Sequence, residues 1–193
     1  EVRNTDINPF LPTGIDSQQA KFLDAFLVSC LLMSDDEISE LECDMISANL
    51  EKVVSRGREP GLTLETLSGP VSLTSAGNDV LQQVKMAAEM LSNVHNDEAY
   101  TQSIAVQDEK LKDVSLTPSA QVLNALKESG LNHTQWLLQK SAEHRQTFSQ
   151  NPLPITVQQT LTEKVGQSLA TLAEIEANDT LDFDQYLAEY LAS

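Results

Sequence analysis

Residues 1–31, EVRNTDINPFLPTGIDSQQAKFLDAFLVSCL, read as three kinds of backbone in immediate succession. Glu1, Val2 and Arg3 alternate as a strand does, which projects Glu1 and Arg3 from the same face. Residues 8–14, NPFLPTG, form an elbow, because two closely spaced prolines preclude helix and the glycine lets the chain turn. Asp16 then has N-cap chemistry with Gln19 three residues on. Phe22, Leu23, Phe26, Leu27, Cys30 and Leu31 follow as a broad apolar stripe at helical spacing.

Outward from this stretch the chain is helical almost throughout. Ser34 to Glu37 has capping-box spacing, with acids favourably placed at a helix start. Ile38, Leu41, Met45, Ile46, Leu50 and Val53 continue the helical period to Gly57. Alternating apolar residues in 61–67 and 71–73, around Ser68-Gly69-Pro70, predict a small hairpin or two short strands. Beyond Ser75, Val80, Leu81, Val84, Ala88 and Leu91 mark one helix, and Tyr100, Ile104 and Leu111 a weaker one. Thr117-Pro118 and Gly130 bracket another, in the N-cap, N1 and C′ positions. Trp136 and Leu137 begin the next. Past Pro152 and Pro154 a long helix carries Val157, Leu161, Val165, Leu169, Leu172 and Ile175, and a short one holds Phe183, Tyr186, Leu187 and Tyr190. The expected fold is mainly α with a small β element near the N-terminus.

Composition limits the function. The 193 residues include 29 Asp and Glu against 12 Lys and Arg, a formal net charge of −17. Nucleic acid requires a basic footprint, and no dense Lys/Arg cluster is present. An anionic membrane surface would repel the chain, and no apolar run approaches the roughly 20 residues that span a bilayer. No basic segment followed by a hydrophobic one opens the chain. A cytoplasmic protein with a solvated acidic surface is expected. His95, His133 and His144 lack metal-ligand spacing, and no phosphate-binding glycine loop or nucleophile elbow appears. Taken alone, Glu1 and Arg3 are either an ion pair or half of a site for a metal and a phosphate.

The segment EVRNTDINPFLPTGID resembles the glutamate–cysteine ligases of proteobacterial type. Agreement runs through Glu1, Val2, Arg3, Asp6, Ile7, Asn8, Pro9, Phe10, Pro12 and Gly14, continues in QQAKFLDAFLVSC (18–30), and returns at GREPGLTL (57–64). The family's chains are much longer, so the resemblance implies a C-terminal piece of a larger α+β ligase fold. Its parts are an active-site strand and elbow at 1–14, two helices at 15–57, short strands at 61–74 and a helical bundle at 75–193. It also implies ATP- and Mg²⁺-dependent joining of the γ-carboxylate of L-glutamate to the amine of L-cysteine through γ-glutamyl phosphate, the first step of glutathione biosynthesis. In the family the Glu of this motif is a metal ligand and the Arg lies by the transferred phosphate. Carried over, Glu1 is a Mg²⁺ ligand and Arg3 the catalytic and ATP-phosphate-binding residue. The geometry suits them, a hard oxygen donor beside a planar fork.

Asp6 and Asn8 are read first as formers of the elbow. Arg58 is read as a helix C-terminal cation or a distal contact. Glu59 stands where relatives also carry a basic residue, which puts a substrate role there in doubt. The remaining ligands and substrate pockets are expected upstream, so the 193 residues alone are expected to be inactive and to bind neither ATP nor Mg²⁺. The alternative from another class is an acidic helical scaffold or interaction module. Cys30 and Cys43 lie in separate stripes without Cys-x-x-Cys spacing and are expected to be buried free thiols. Thiol titration of the denatured, unreduced protein should therefore count two. A count of zero, with no added mass, would mean a disulfide and an oxidising compartment.

Overall fold

The computed structural model describes residues 5–33 and 37–192. In chain order these form α1 (Ser17–Leu32), α2 (Glu40–Arg56), β1 (Thr63–Leu64), β2 (Val71–Ser72), α3 (Leu73–His95) and α4 (Ala99–Lys112). A 3-10 turn (Val114–Leu116) leads to α5 (Pro118–Ser129), α6 (His133–Gln150), α7 (Ile155–Asn178) and α8 (Phe183–Ala192). The mainly helical class with a small β element agrees with the sequence reading.

Local chemistry places most of the helix ends. Asp16 Oδ1 accepts from Gln19 N at 2.8 Å and starts α1. The box expected at Ser34–Glu37 falls mostly on residues 34–36, outside the described residues. The cap of α2 is instead Ser39: its Oγ accepts from Glu42 N at 3.3 Å, and Glu42 Oε2 accepts from Ser39 N at 2.9 Å. Both tetrads have Ser-x-x-Glu spacing, so the pattern alone did not choose between them. Pro118 occupies the first turn of α5, and Gly130 closes that helix at φ 65°. The short strands pair antiparallel, Thr63 opposite Ser72 and Leu64 opposite Val71. Asn49 of α2 holds this hairpin from the side, donating to Glu65 O at 2.8 Å and accepting from Glu65 N at 2.9 Å.

The core lies where α1, α3 and α4 meet. Ala25, Leu81, Val84, Ala88, Tyr100 and Ile104 form it, and Phe22, Phe26, Leu91 and Leu111 pack around them. Small residues let the helices approach: Ala25, Ala88 and Ser103 are all 0% exposed. Ser103 meets its buried hydroxyl's needs locally, donating to Tyr100 O at 2.7 Å. At the α3–α4 corner Asn96 takes φ 50°, and Asp97 Oδ1 accepts from Ala99 N. Lys21 of α1 donates to Asp97 Oδ2 and lies 4.2 Å from the centre of the Tyr100 ring. The bond to Lys21 holds the Asp97 carboxyl below its ordinary range, and the same bond raises the lysine.

By its contacts the chain divides into residues 1–145 and 146–193. The second unit carries α7 and α8, and every described side chain in it is exposed. No helix among the described residues is long and apolar enough to cross a membrane.

Burial of the two cysteines is not borne out: both are exposed free thiols. Helix α1 turns Ala25 and Ser29 inward, and Cys30, one residue beyond Ser29, is rotated by a helical step toward solvent. Helix α2 buries no residue at all, which leaves Cys43 open.

Val84, at 1% exposure, is the largest of the fully buried side chains. Val84→Ala should cost about 2 kcal/mol through lost transfer and a residual cavity, a fall in Tm of roughly 4–8 °C for a chain of this length. Val80→Ala, on the exposed side of the same helix, should stay within about 0.5 kcal/mol. Equal thermal melts for the two variants would place the core elsewhere.

Candidate functional site

Glu1 and Arg3 lie outside the described residues. What is described is the elbow that follows them in the sequence. From Asn8 to Gly14 the chain closes on itself: Asn8 N donates to Gly14 O at 2.9 Å, Leu11 N to Asn8 O at 3.1 Å, and Gly14 N to Leu11 O at 3.0 Å. Asn8 Oδ1 accepts from Phe10 N at 3.0 Å, the local bond expected of an elbow former. Gly14 adopts φ 76°, and a Cβ on it would lie 2.6 Å from Ile7 Cγ2. Only glycine meets both conditions.

The elbow is fastened to α6. Trp136, 4% exposed, receives the Phe10 ring edge-on at 5.4 Å between centroids. About two turns further along α6, His144 Nε2 lies 2.9 Å from Pro9 O. A carbonyl only accepts, so Nε2 carries the proton and donates. Trp136 and His144 together hold two consecutive residues of the elbow.

Beside the elbow is a cavity of about 370 Å³, lined among others by Thr5, Asp6, Asn8, Asp16, Gln107 and Lys110. Lys110 donates to Gln107 Oε1 at 3.2 Å. Burial pushes its ammonium down from the ordinary lysine range, against the opposing pull of the Asp16 carboxylate. The cavity thus joins the elbow, the cap of α1 and a half-buried cation from α4. Sequence reasoning did not single out Lys110. It is about a hundred residues from the motif, and a lysine in the last turn of a helix has a sufficient local explanation in the helix dipole.

The second motif, GREPGLTL, borders a separate apolar cavity of about 770 Å³ that includes Leu62, Leu64, Leu73, Val80 and Leu111. Arg58 is exposed on its rim. The cation in the last turn of α2 is Arg56, which donates from Nε and Nη2 to the two carboxylate oxygens of Glu59 at 2.7 and 2.9 Å. This bidentate pair holds the Glu59 carboxyl below its ordinary range and gives the residue a structural occupation. Among the described residues no three His, Cys, Asp or Glu side chains come together in a way that would hold a metal ion.

Residues 1–53 match the family model described as glutamate-cysteine ligase. The whole chain is 40% identical to 36% of the glutamate–cysteine ligase of Pseudomonas aeruginosa, and 38% identical to 37% of that of Pseudomonas putida. It spans a little over a third of the length of the curated relatives it matches. Among solved structures, glutamate–cysteine ligase of Francisella tularensis in complex with AMP superposes with a TM-score of 0.86 at 26% identity, over 98% of this chain and 37% of that one.

The elbow's dependence on glycine is testable against an internal control. Gly61 has the same φ of 76° as Gly14, but a Cβ there would meet nothing within 4 Å. Gly61→Ala should cost about 1 kcal/mol of backbone strain. Gly14→Ala adds the Ile7 contact and should cost about 2–3 kcal/mol. Indistinguishable denaturation midpoints would mean that Ile7 yields freely and the elbow is not tightly specified.

Proposed function

For a chain related along its whole length to the glutamate–cysteine ligases, we propose a share in the active site of an enzyme of that activity. The reaction is ATP-dependent ligation of L-glutamate to L-cysteine, the first step of glutathione biosynthesis, carried out in the cytoplasm. The observation that carries this reading is a relationship extending over all 193 residues at 40% identity, together with the family match at 1–53.

In the proposed reaction a γ-carboxylate oxygen of glutamate attacks the γ-phosphorus of ATP and ADP leaves. The cysteine amine then attacks the resulting acyl phosphate, releasing phosphate and a proton. Charge builds on the transferring phosphoryl oxygens, where a guanidinium fork is the fitting partner. Arg3 takes that role. Glu1, two residues earlier in the sequence, fits as one oxygen ligand of a Mg²⁺ ion, which when bound would neutralise phosphate charge. A single carboxylate completes no Mg²⁺ site, so the other ligands come from outside the described residues. The segments assigned above follow from this reading: 1–14 carries the active residues, 15–57 and 61–74 brace them, and 75–193 supplies the helical support. Support for the division of labour comes from the elbow, whose fastening by Trp136 and His144 restricts where the preceding residues can go. Positioning of this kind matters because misplacement of a reacting group by about 1 Å can cost on the order of a hundredfold in rate.

The test uses a ligase-length polypeptide carrying this chain. Arg3→Lys keeps the charge but loses the fork, and kcat should fall by roughly ten- to a thousandfold with little change in Tm. Glu1→Gln should raise the Mg²⁺ concentration that gives half the maximal rate. The 193 residues alone should form no γ-glutamylcysteine. Wild-type rates across a Mg²⁺ titration in both variants would reduce Glu1 and Arg3 to a surface ion pair, worth at most about 1 kcal/mol.

A further inference from the structure

We propose that the apolar face of α7 and α8 is a docking surface for the part of a ligase polypeptide that lies outside these 193 residues. The proposal rests on the ligase reading. On α7, Val157, Leu161, Val165, Leu169, Leu172 and Ile175 recur at intervals of three and four and form one stripe. Each is between 43% and 62% exposed. On α8, Phe183, Tyr186, Leu187 and Tyr190 repeat the pattern, with the two tyrosine rings stacked at 6.1 Å and all four side chains exposed. Ten large apolar side chains on two helices exceed the scattered exposure normal on a soluble surface. A helix patterned this way draws most of its stability from the surface it packs on.

Two observations choose the occupant. The Francisella tularensis ligase matches 98% of this chain, which takes in the second unit, yet the match makes up only 37% of that protein. In that protein the same helices therefore coexist with further polypeptide that makes up nearly two-thirds of the chain. The second observation is charge. Residues 146–193 carry seven Asp and Glu and one Lys, within a chain of net charge −17. Two copies meeting through this face would bring like charge together, whereas a ligase surface with basic residues around an apolar centre would complement it.

Hydrogen–deuterium exchange compares the 193-residue chain with the ligase-length polypeptide. Amides of α7 should exchange about a hundredfold or more slowly in the longer protein. Leu169→Glu preserves helix propensity and should lower the longer protein's Tm by several degrees, while leaving the 193-residue chain's Tm unmoved. Gln167→Glu, on the opposite side of α7, should leave both unmoved. Equal exchange in the two proteins overturns the proposal. So does sedimentation of the shorter chain as a dimer that Leu169→Glu returns to monomer, because the occupant is then a second copy. Assay of the same samples separates the two readings: a protected α7 in a protein without ligation supports the docking surface and removes the ligase activity, and an active ligase whose α7 exchanges freely does the reverse.

Discussion

The close approach of α1, α3 and α4 is the contact on which the other features of residues 1–145 depend. It is made by small side chains: Ala25, Ala88 and Ser103 are wholly buried, and Val84 fills what they leave. Larger residues at those points would separate the helices and lose the dispersion contacts that dense packing supplies. The contact sets the direction of α1, and with it the position of Asp16 and the elbow that precedes it. It also brings the end of α4, and Lys110, beside that elbow. Lys21, reaching from α1 to Asp97 and the Tyr100 ring, ties the same three elements together at the other end.

The elbow is tied to this helical frame through α6. Its internal bonds fix its shape, and Trp136 and His144, from a helix more than a hundred residues away, help to hold its orientation. That arrangement suits the proposed roles of Glu1 and Arg3, which precede the elbow in the sequence. The helices need contribute no chemistry of their own to support the proposed site. They matter by holding the backbone at Pro9 and Phe10.

Charge is distributed with the same economy. Several cations are used in pairs, Arg56 with Glu59, Lys112 with Asp108, Lys140 with Glu143 and Lys21 with Asp97. Lys110 differs in facing a cavity and bonding a neutral amide. Residues 146–193, by contrast, combine acidity with exposed apolar side chains on α7 and α8.

The local rules wrote much of this in the sequence. Asp16 as a cap, Asn8 as an elbow former, Pro118 and Gly130 as brackets of α5, and the stripe of α3 all follow from backbone sterics and helical period, which act over a few residues. The motif around Glu1 and Arg3 was legible for the same reason, since its residues are contiguous. Three matters were decided by tertiary structure alone. Ser39, not Ser34, caps α2, because two equivalent tetrads compete and only the path of the chain selects one. Cys30 and Cys43 face solvent, because a stripe broader than the contact it serves leaves its margin exposed, and helical period does not say where the margin falls. Trp136, His144 and Lys110 meet the elbow from across the fold, because distance along the chain carries no information about distance in space until helices α1, α3 and α4 have packed.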